Sequence, residues 1–343
     1  MAVWRGQMLS KESTWQSLTF SEGRFKNAVI TYSPAYTVVP TYECFNRCSY
    51  CNFRIDPDPN SIFSWTDISQ KIEQLDRQAI TEILVLSGEV HPLSNKRTEW
   101  FTKIYKTCEI SLTFGFLPHT NVGPLSWQEM KQLKEVNVSM GLMLEQLNPK
   151  FMETVHRYAP SKKPELRLQQ LEWAGKLKIP FTTGLLLGIG ETILDIEESL
   201  KAIASSHRRW GHIQEVILQP HSIGSQQELN IPSFDPQQLP KIIALAKEIL
   251  PDSISIQIPP NLVLDPNFIL ECLAAGATDL GGISPIDEVN PDYPHHTYES
   301  LAEILRSAGW SLKPRLPVYP QYYSWLSTAL QKAIAKKTLI FET

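Results

Sequence analysis

Cys44, Cys48 and Cys51 stand in the stretch Thr41-Tyr42-Glu43-Cys44-Phe45-Asn46-Arg47-Cys48-Ser49-Tyr50-Cys51, spaced C-x3-C-x2-C with an aromatic residue directly before the third cysteine. Thiolates at this spacing can hold three irons of a cubane iron–sulfur cluster. The fourth iron is then left without a protein ligand and stays open to a substrate or cosubstrate. An electron carrier closes that position with a fourth cysteine, and here the remaining cysteines, Cys108 and Cys272, sit singly in stretches that read as helical. Zinc also takes clustered thiolates, but a structural zinc site needs four ligands. His91 or His119 would have to complete one. A disulfide is the weakest alternative, because an odd number of cysteines and no signal peptide suit a reducing compartment.

An open iron is what S-adenosylmethionine (SAM) requires, since its amino and carboxylate groups chelate that position and one-electron reduction cleaves the sulfonium to an adenosyl radical. Other residues along the chain suit such a ligand. Ser87-Gly88-Glu89 offers a glycine where backbone can approach closely, with carbonyls able to accept from an ammonium. His119-Thr120-Asn121-Val122-Gly123 is a polar run. Glu145 follows the apolar Gly141-Leu142-Met143-Leu144 and can either pair with a base or bind ribose hydroxyls. Arg167 is placed to clamp a carboxylate or to lie solvated on a helix. Gly184-Leu185-Leu186-Leu187-Gly188-Ile189-Gly190-Glu191 lets a flat ring lie on backbone, with Glu191 steadying the turn.

These groups need elements to carry them. Strands are expected at 36–40, 82–86, 112–116, 137–144, 181–187, 215–219, 253–258 and 279–283. Helices are expected at 65–80, 95–110, 126–136 with Ser126 as cap, 164–178, 193–210, 235–250 and 267–275. The strands are apolar throughout rather than alternating, which marks a parallel sheet buried on both faces. Eight strand–helix units close into a TIM-type (β/α)8 barrel, whose active-site groups gather at the carboxyl ends of the strands. A doubly wound open sheet lacks its Gly-rich dinucleotide turn here. The expected division is a helical N-terminal arm over 1–35, the barrel over 36–284, and a tail over 285–343 that covers one face and ends in a helix at 322–336.

Composition narrows the partners. The 343 residues carry 32 basic and 36 acidic side chains, a net charge of −4 with no basic block, so neither nucleic acid nor anionic membrane is expected. No apolar run approaches the ~20 residues that span a bilayer. No apolar h-region opens the chain, so a cytoplasmic protein is expected.

With these motifs the chain resembles the radical SAM superfamily. Within it, the chain is similar to the CofG subunit of 7,8-didemethyl-8-hydroxy-5-deazariboflavin (Fo) synthase. The residues that carry the likeness are Phe181-Thr182-Thr183-Gly184, Gly188-Ile189-Gly190-Glu191-Thr192, Ser139 to Glu145, Gly211 to Ile217, Gly281-Gly282-Ile283-Ser284-Pro285 and Val289-Asn290-Pro291. It departs from the family at Gln219-Pro220-His221-Ser222, at Pro160 to Pro164, at Leu280 and at Pro294-His295-His296. The resemblance implies a 4Fe–4S cluster on Cys44, Cys48 and Cys51. It implies a SAM site of Tyr50, Ser87, Gly88, Glu89, Asn121, Glu145, Arg167, Gly184, Gly188 and Glu191. In that site Ser87-Gly88-Glu89 meets the amino group, Glu145 the ribose, Arg167 the carboxylate and the glycines the adenine. It also implies closure of the deazaflavin ring with loss of ammonia, on an adduct that a CofH-type partner makes from tyrosine and a ribityl-diaminouracil. A reductant such as flavodoxin or ferredoxin would feed the cluster. No catalytic base is assigned. A CofH-type enzyme acting on tyrosine itself, or a non-enzymatic iron–sulfur or zinc module, are the other readings.

Overall fold

A computed structural model describes residues 28–58, 64–227, 232–263, 265–285, 287–289, 291–294 and 296–342. Strand and helix alternate as β1 (Val29–Val38), α1 (Trp65–Glu73), β2 (Glu82–Leu86), α2 (Arg97–Thr113), β3 (Leu117–Asn121), α3 (Trp127–Leu133), β4 (Ser139–Gly141), α4 (Pro164–Lys176), β5 (Phe181–Leu187) and α5 (Ile193–Trp210). They continue as β6 (Ile213–Pro220), α6 (Leu239–Ile249), β7 (Ser255–Gln257), α7 (Pro266–Ala275) and β8 (Asp279–Ile283), followed by α8 (Tyr298–Ser307), β9 (Ser311–Pro314) and α9 (Thr328–Glu342). Strands β1 to β8 pair in parallel in chain order, and β1 closes the ring against both β2 and β8. This is the expected barrel.

Local chemistry explains where the elements start. Thr192 and Asp195 form a reciprocal capping box at the head of α5, and Gly211 ends that helix in the left-handed conformation. Ser126 caps α3 as expected, with Glu129 returning the bond. The main core lies between the strands and the helical ring, with Ile83, Val85, Leu185, Leu187, Val216 and Leu218 all buried.

Several expected boundaries are corrected. The first strand begins at Val29, not at residue 36, because its upstream half pairs with β8 and β9. The expected N-terminal arm is therefore strand from Val29 on, while residues 1–27 lie outside the described residues. The third strand is 117–121 rather than 112–116. Leu112 and Thr113 complete α2, and His119 and Thr120 are buried members of the strand. Past residue 284 the chain forms α8 and β9, neither expected, and β9 adds a ninth strand outside the barrel by pairing with β1.

The tail covers the amino-terminal end of the barrel. Leu316, Val318, Tyr322, Leu326, Leu330 and Ile334 form a second apolar cluster with Leu117 and Val138. Arg315 reaches Asp279 (2.6 and 2.8 Å) and also pairs with Glu215. Thr182 donates to Glu215 at 2.9 Å, and Ser33 donates to Glu82. Two buried carboxylates thus hold one guanidinium at the barrel floor, with Glu82 near enough to feel its charge. Burial pushes Glu215 up to about 7, although Arg315 pulls the other way. Burial also raises Glu82.

Candidate SAM and iron–sulfur site

The cysteine loop leaves β1 and crosses the carboxyl end of the barrel. Backbone bonds pin it to loops from two other strands: Phe45 N donates to Glu89 O at 2.9 Å, Arg47 N to Tyr158 O at 2.7 Å and Ser49 N to Val155 O at 3.1 Å. Gly88 makes the first anchorage possible, since a Cβ there would fall 2.2 Å from the Glu43 carbonyl oxygen. Within the loop Cys51 N donates to Cys48 O at 3.0 Å, and Asn46 Nδ2 approaches Cys44 Sγ at 3.7 Å. Burial pushes the Cys48 thiol up to about 12, and burial with Glu89 raises Cys44. Metal binding must therefore release protons from these thiols.

A cavity of ≈ 230 Å³ opens beside the loop, lined by Tyr50, Cys51, Ser87, Glu89, Asn121, Glu145, Arg167 and residues between them in space. Gly88, Gly184, Gly188 and Glu191 of the expected set lie off its wall. Gly184 instead lets β6 approach, with a Cβ there meeting Ile217 O at 2.3 Å. Glu191 accepts from Gly188 N (2.5 Å) and Ile189 N (2.9 Å), steadying the turn as expected.

Arg167 is 2% exposed. Its Nε donates to Ser161 O at 2.8 Å and Nη1 to Met143 O at 2.9 Å, so the fork is held rigidly. The remaining Nη2 is buried with no hydrogen-bond partner and lies 3.6 Å from Glu89 Oε1. A buried donor left over in a ligand-sized cavity costs free energy unless a ligand meets it, and a guanidinium edge matches a carboxylate. Glu145 faces it across the cavity with its backbone in the left-handed region (φ 65°), a conformation unusual for a side-chain-bearing residue and frequent at functional sites. Burial pushes the Glu145 carboxyl up, but Lys162 and Arg167 outweigh that and hold it below the ordinary range.

Two participants were not singled out in the sequence. Lys162 pairs with Glu145 inside the cavity wall. His156 shares a 3.0 Å hydrogen bond with the Tyr50 hydroxyl, and burial lowers the imidazole to about 3, so it is neutral. Only the cation itself hinted at Lys162, since the pair closes in space and not along the chain.

The donor chemistry fits a cubane cluster with SAM. Three thiols share one loop, while Cys108 and Cys272 are buried on α2 and α7. Among the described residues no three His, Cys, Asp or Glu side chains converge as a single ion needs. A cubane takes each cysteine on a different iron. His91 is turned to Leu93 N at 3.1 Å and His119 to Ser139 at 2.7 Å inside the barrel, so neither completes a zinc set.

A family model of the Radical SAM superfamily matches residues 38–203. The chain is 63% identical over 316 residues to a 7,8-didemethyl-8-hydroxy-5-deazariboflavin synthase of Trichormus variabilis, covering 92% of this chain and 93% of that one. The chain belongs to the Fo synthase family of the radical SAM superfamily. A synthase from Gloeobacter violaceus is 53% identical over 314 residues, covering 91% of this chain and 96% of its own length. Among solved structures, the FeFe-hydrogenase maturase HydG from Carboxydothermus hydrogenoformans shares the fold with a TM-score of 0.70 at 15% identity, over 92% of this chain and 77% of that one. Methylornithine synthase (PylB) shares it with a TM-score of 0.62 at 14% identity, over 83% of each chain. Radical SAM Fo synthases are enzymes that use a 4Fe–4S cluster and SAM, which sets the non-enzymatic module aside. Among the described residues no helix is long and apolar enough to cross a membrane.

Proposed function

We propose that this enzyme is the CofG-type, ring-closing half of Fo synthesis, acting as an ammonia-releasing lyase. Its substrate is the adduct of a tyrosine-derived hydroxybenzyl group with ribityl-diaminouracil, supplied by a CofH-type partner. When bound, the cluster and SAM supply an adenosyl radical that abstracts hydrogen from the adduct. Cys44, Cys48 and Cys51 hold the cluster. Arg167 Nη2 receives the SAM carboxylate and Glu145 the ribose hydroxyls, while Tyr50, Ser87, Glu89 and Asn121 bound the same cavity. Gly88 sets the spacing between the cysteine loop and β2. A cytoplasmic setting with a flavodoxin- or ferredoxin-like reductant suits thiols that must stay reduced.

The observation that carries this reading is the buried Arg167 Nη2, which makes no hydrogen bond and has only Glu89 Oε1 at 3.6 Å, at a cavity that Cys51 also lines, in a chain of this family. The test is turnover without oxygen. Reductant, SAM and the adduct should yield 5′-deoxyadenosine, ammonia and fluorescent Fo. Tyrosine and the free diaminouracil should yield no Fo until a CofH-type enzyme is added. Consumption of free tyrosine without that enzyme would overturn the reading.

A further inference from the structure

Across the barrel mouth from Arg167, a second cavity of ≈ 130 Å³ lies between the ends of β1, β2, β7 and β8. Leu86 and Val289 line both cavities, so the two share a wall. Each is small beside the few hundred Å³ of a typical ligand pocket, and together they suit an elongated ligand pair.

The polar lining of the second cavity is largely uncommitted. Among the described residues the Thr37 hydroxyl, the Gln257 carboxamide and the Ser284 hydroxyl have no hydrogen-bond partner. His296 Nε2 is buried and also unpartnered, and burial lowers this imidazole, keeping it neutral. The acids are already engaged: Asp287 accepts from Asn261 Nδ2 at 2.6 Å and Val289 N at 2.8 Å, and Glu288 from the Tyr42 hydroxyl at 2.5 Å. No lysine or arginine is among the described lining residues. Gly281 makes room for the carboxamide, since a Cβ there would fall 2.1 Å from Gln257 Nε2.

Hydroxyls, a carboxamide and a neutral imidazole each pair with a group that both donates and accepts. A phenol edge uses one or two such partners, whereas a polyol chain uses them all. Two acids with no neighbouring cation disfavour a phosphate. We propose that this cavity seats the neutral ribityl end of the substrate, held by Gln257, His296, Thr37 and Ser284, while the reacting carbon points across Leu86 into the SAM cavity. The proposal rests on the ring-closing reading above.

Gln257→Leu and Ser284→Ala, each with intact cluster and SAM affinity as the check on folding, should raise KM for the adduct roughly three- to tenfold. Calorimetry on the SAM-loaded protein should show ribityl-diaminouracil itself binding, more weakly to either variant. Its ribityl 5′-phosphate should bind at least tenfold more weakly to wild type. Wild-type turnover with unchanged KM and affinity in both variants would overturn the proposal and leave the ring-closing reading standing. Gln257-dependent binding without turnover would do the reverse. A phosphate ester bound as tightly as the free polyol would also overturn it.

Discussion

Lys162 donates to the Glu145 carboxylate inside the cavity wall, with the two side chains only 14% and 8% exposed. An ion pair this buried adds little net stability, because the cost of taking both charges out of water offsets their attraction. Removing one partner leaves a buried charge uncompensated, whereas removing both does not. Lys162→Met should therefore lower unfolding free energy by about 3 kcal/mol, at the low end because Arg167 still faces Glu145. The double variant Lys162→Met/Glu145→Gln should recover most of it. Urea melts check this, and a double variant as unstable as the single one would contradict it.

Arg167→Gln keeps a polar group but removes the charge and the Nη2 donor. Losing a charge-assisted contact costs about 1.5–3 kcal/mol, so SAM should bind roughly tenfold or more weakly. Iron content should stay at the wild-type level, because Arg167 meets Ser161, Met143 and Glu89 and no cysteine. Equilibrium dialysis with SAM reads the effect, and unchanged affinity would contradict the assignment.

At the barrel floor, Glu215 has a folded-state pKa raised from 4.5 to about 7 by burial. A raised pKa means the fold binds the proton more tightly, so its stabilisation is full below about 4.5 and is lost as pH rises to about 7. Neutral buried His119, lowered to about 3 by burial, acts in the opposite sense below 6.5. The informative quantity is therefore a difference. Between pH 4.5 and 7 wild type should lose stability relative to Glu215→Gln, read as diverging melting temperatures. Parallel curves would show that Glu215 is ionised throughout.

Some of this architecture was open to sequence reasoning for identifiable reasons. β5 and α5 sit at the expected 181–187 and 193–210, because a β-branched and apolar run, buried throughout, is followed by a capping box and a terminal glycine. β3 was displaced because Leu-Pro-His-Thr-Asn turns polar side chains inward, and a barrel interior hides the periodicity on which a strand is recognised. β9 is too short to announce itself and exists by pairing with β1. At the site, residue type and position singled out the cysteines, Glu145 and Arg167 as candidates, while the part each plays toward SAM rested on the family resemblance. Lys162, His156 and the second cavity were not, because each depends on segments that meet only in space.

The most direct measurement concerns the cluster and its open iron. In anaerobically reconstituted, reduced protein, the EPR signal of one cubane cluster should change on adding SAM, and 5′-deoxyadenosine should be released. Cys44→Ala, Cys48→Ala and Cys51→Ala should each abolish that release, while Cys108→Ala and Cys272→Ala should not. A protein fully active with zinc alone, or an EPR signal indifferent to SAM, would contradict the account.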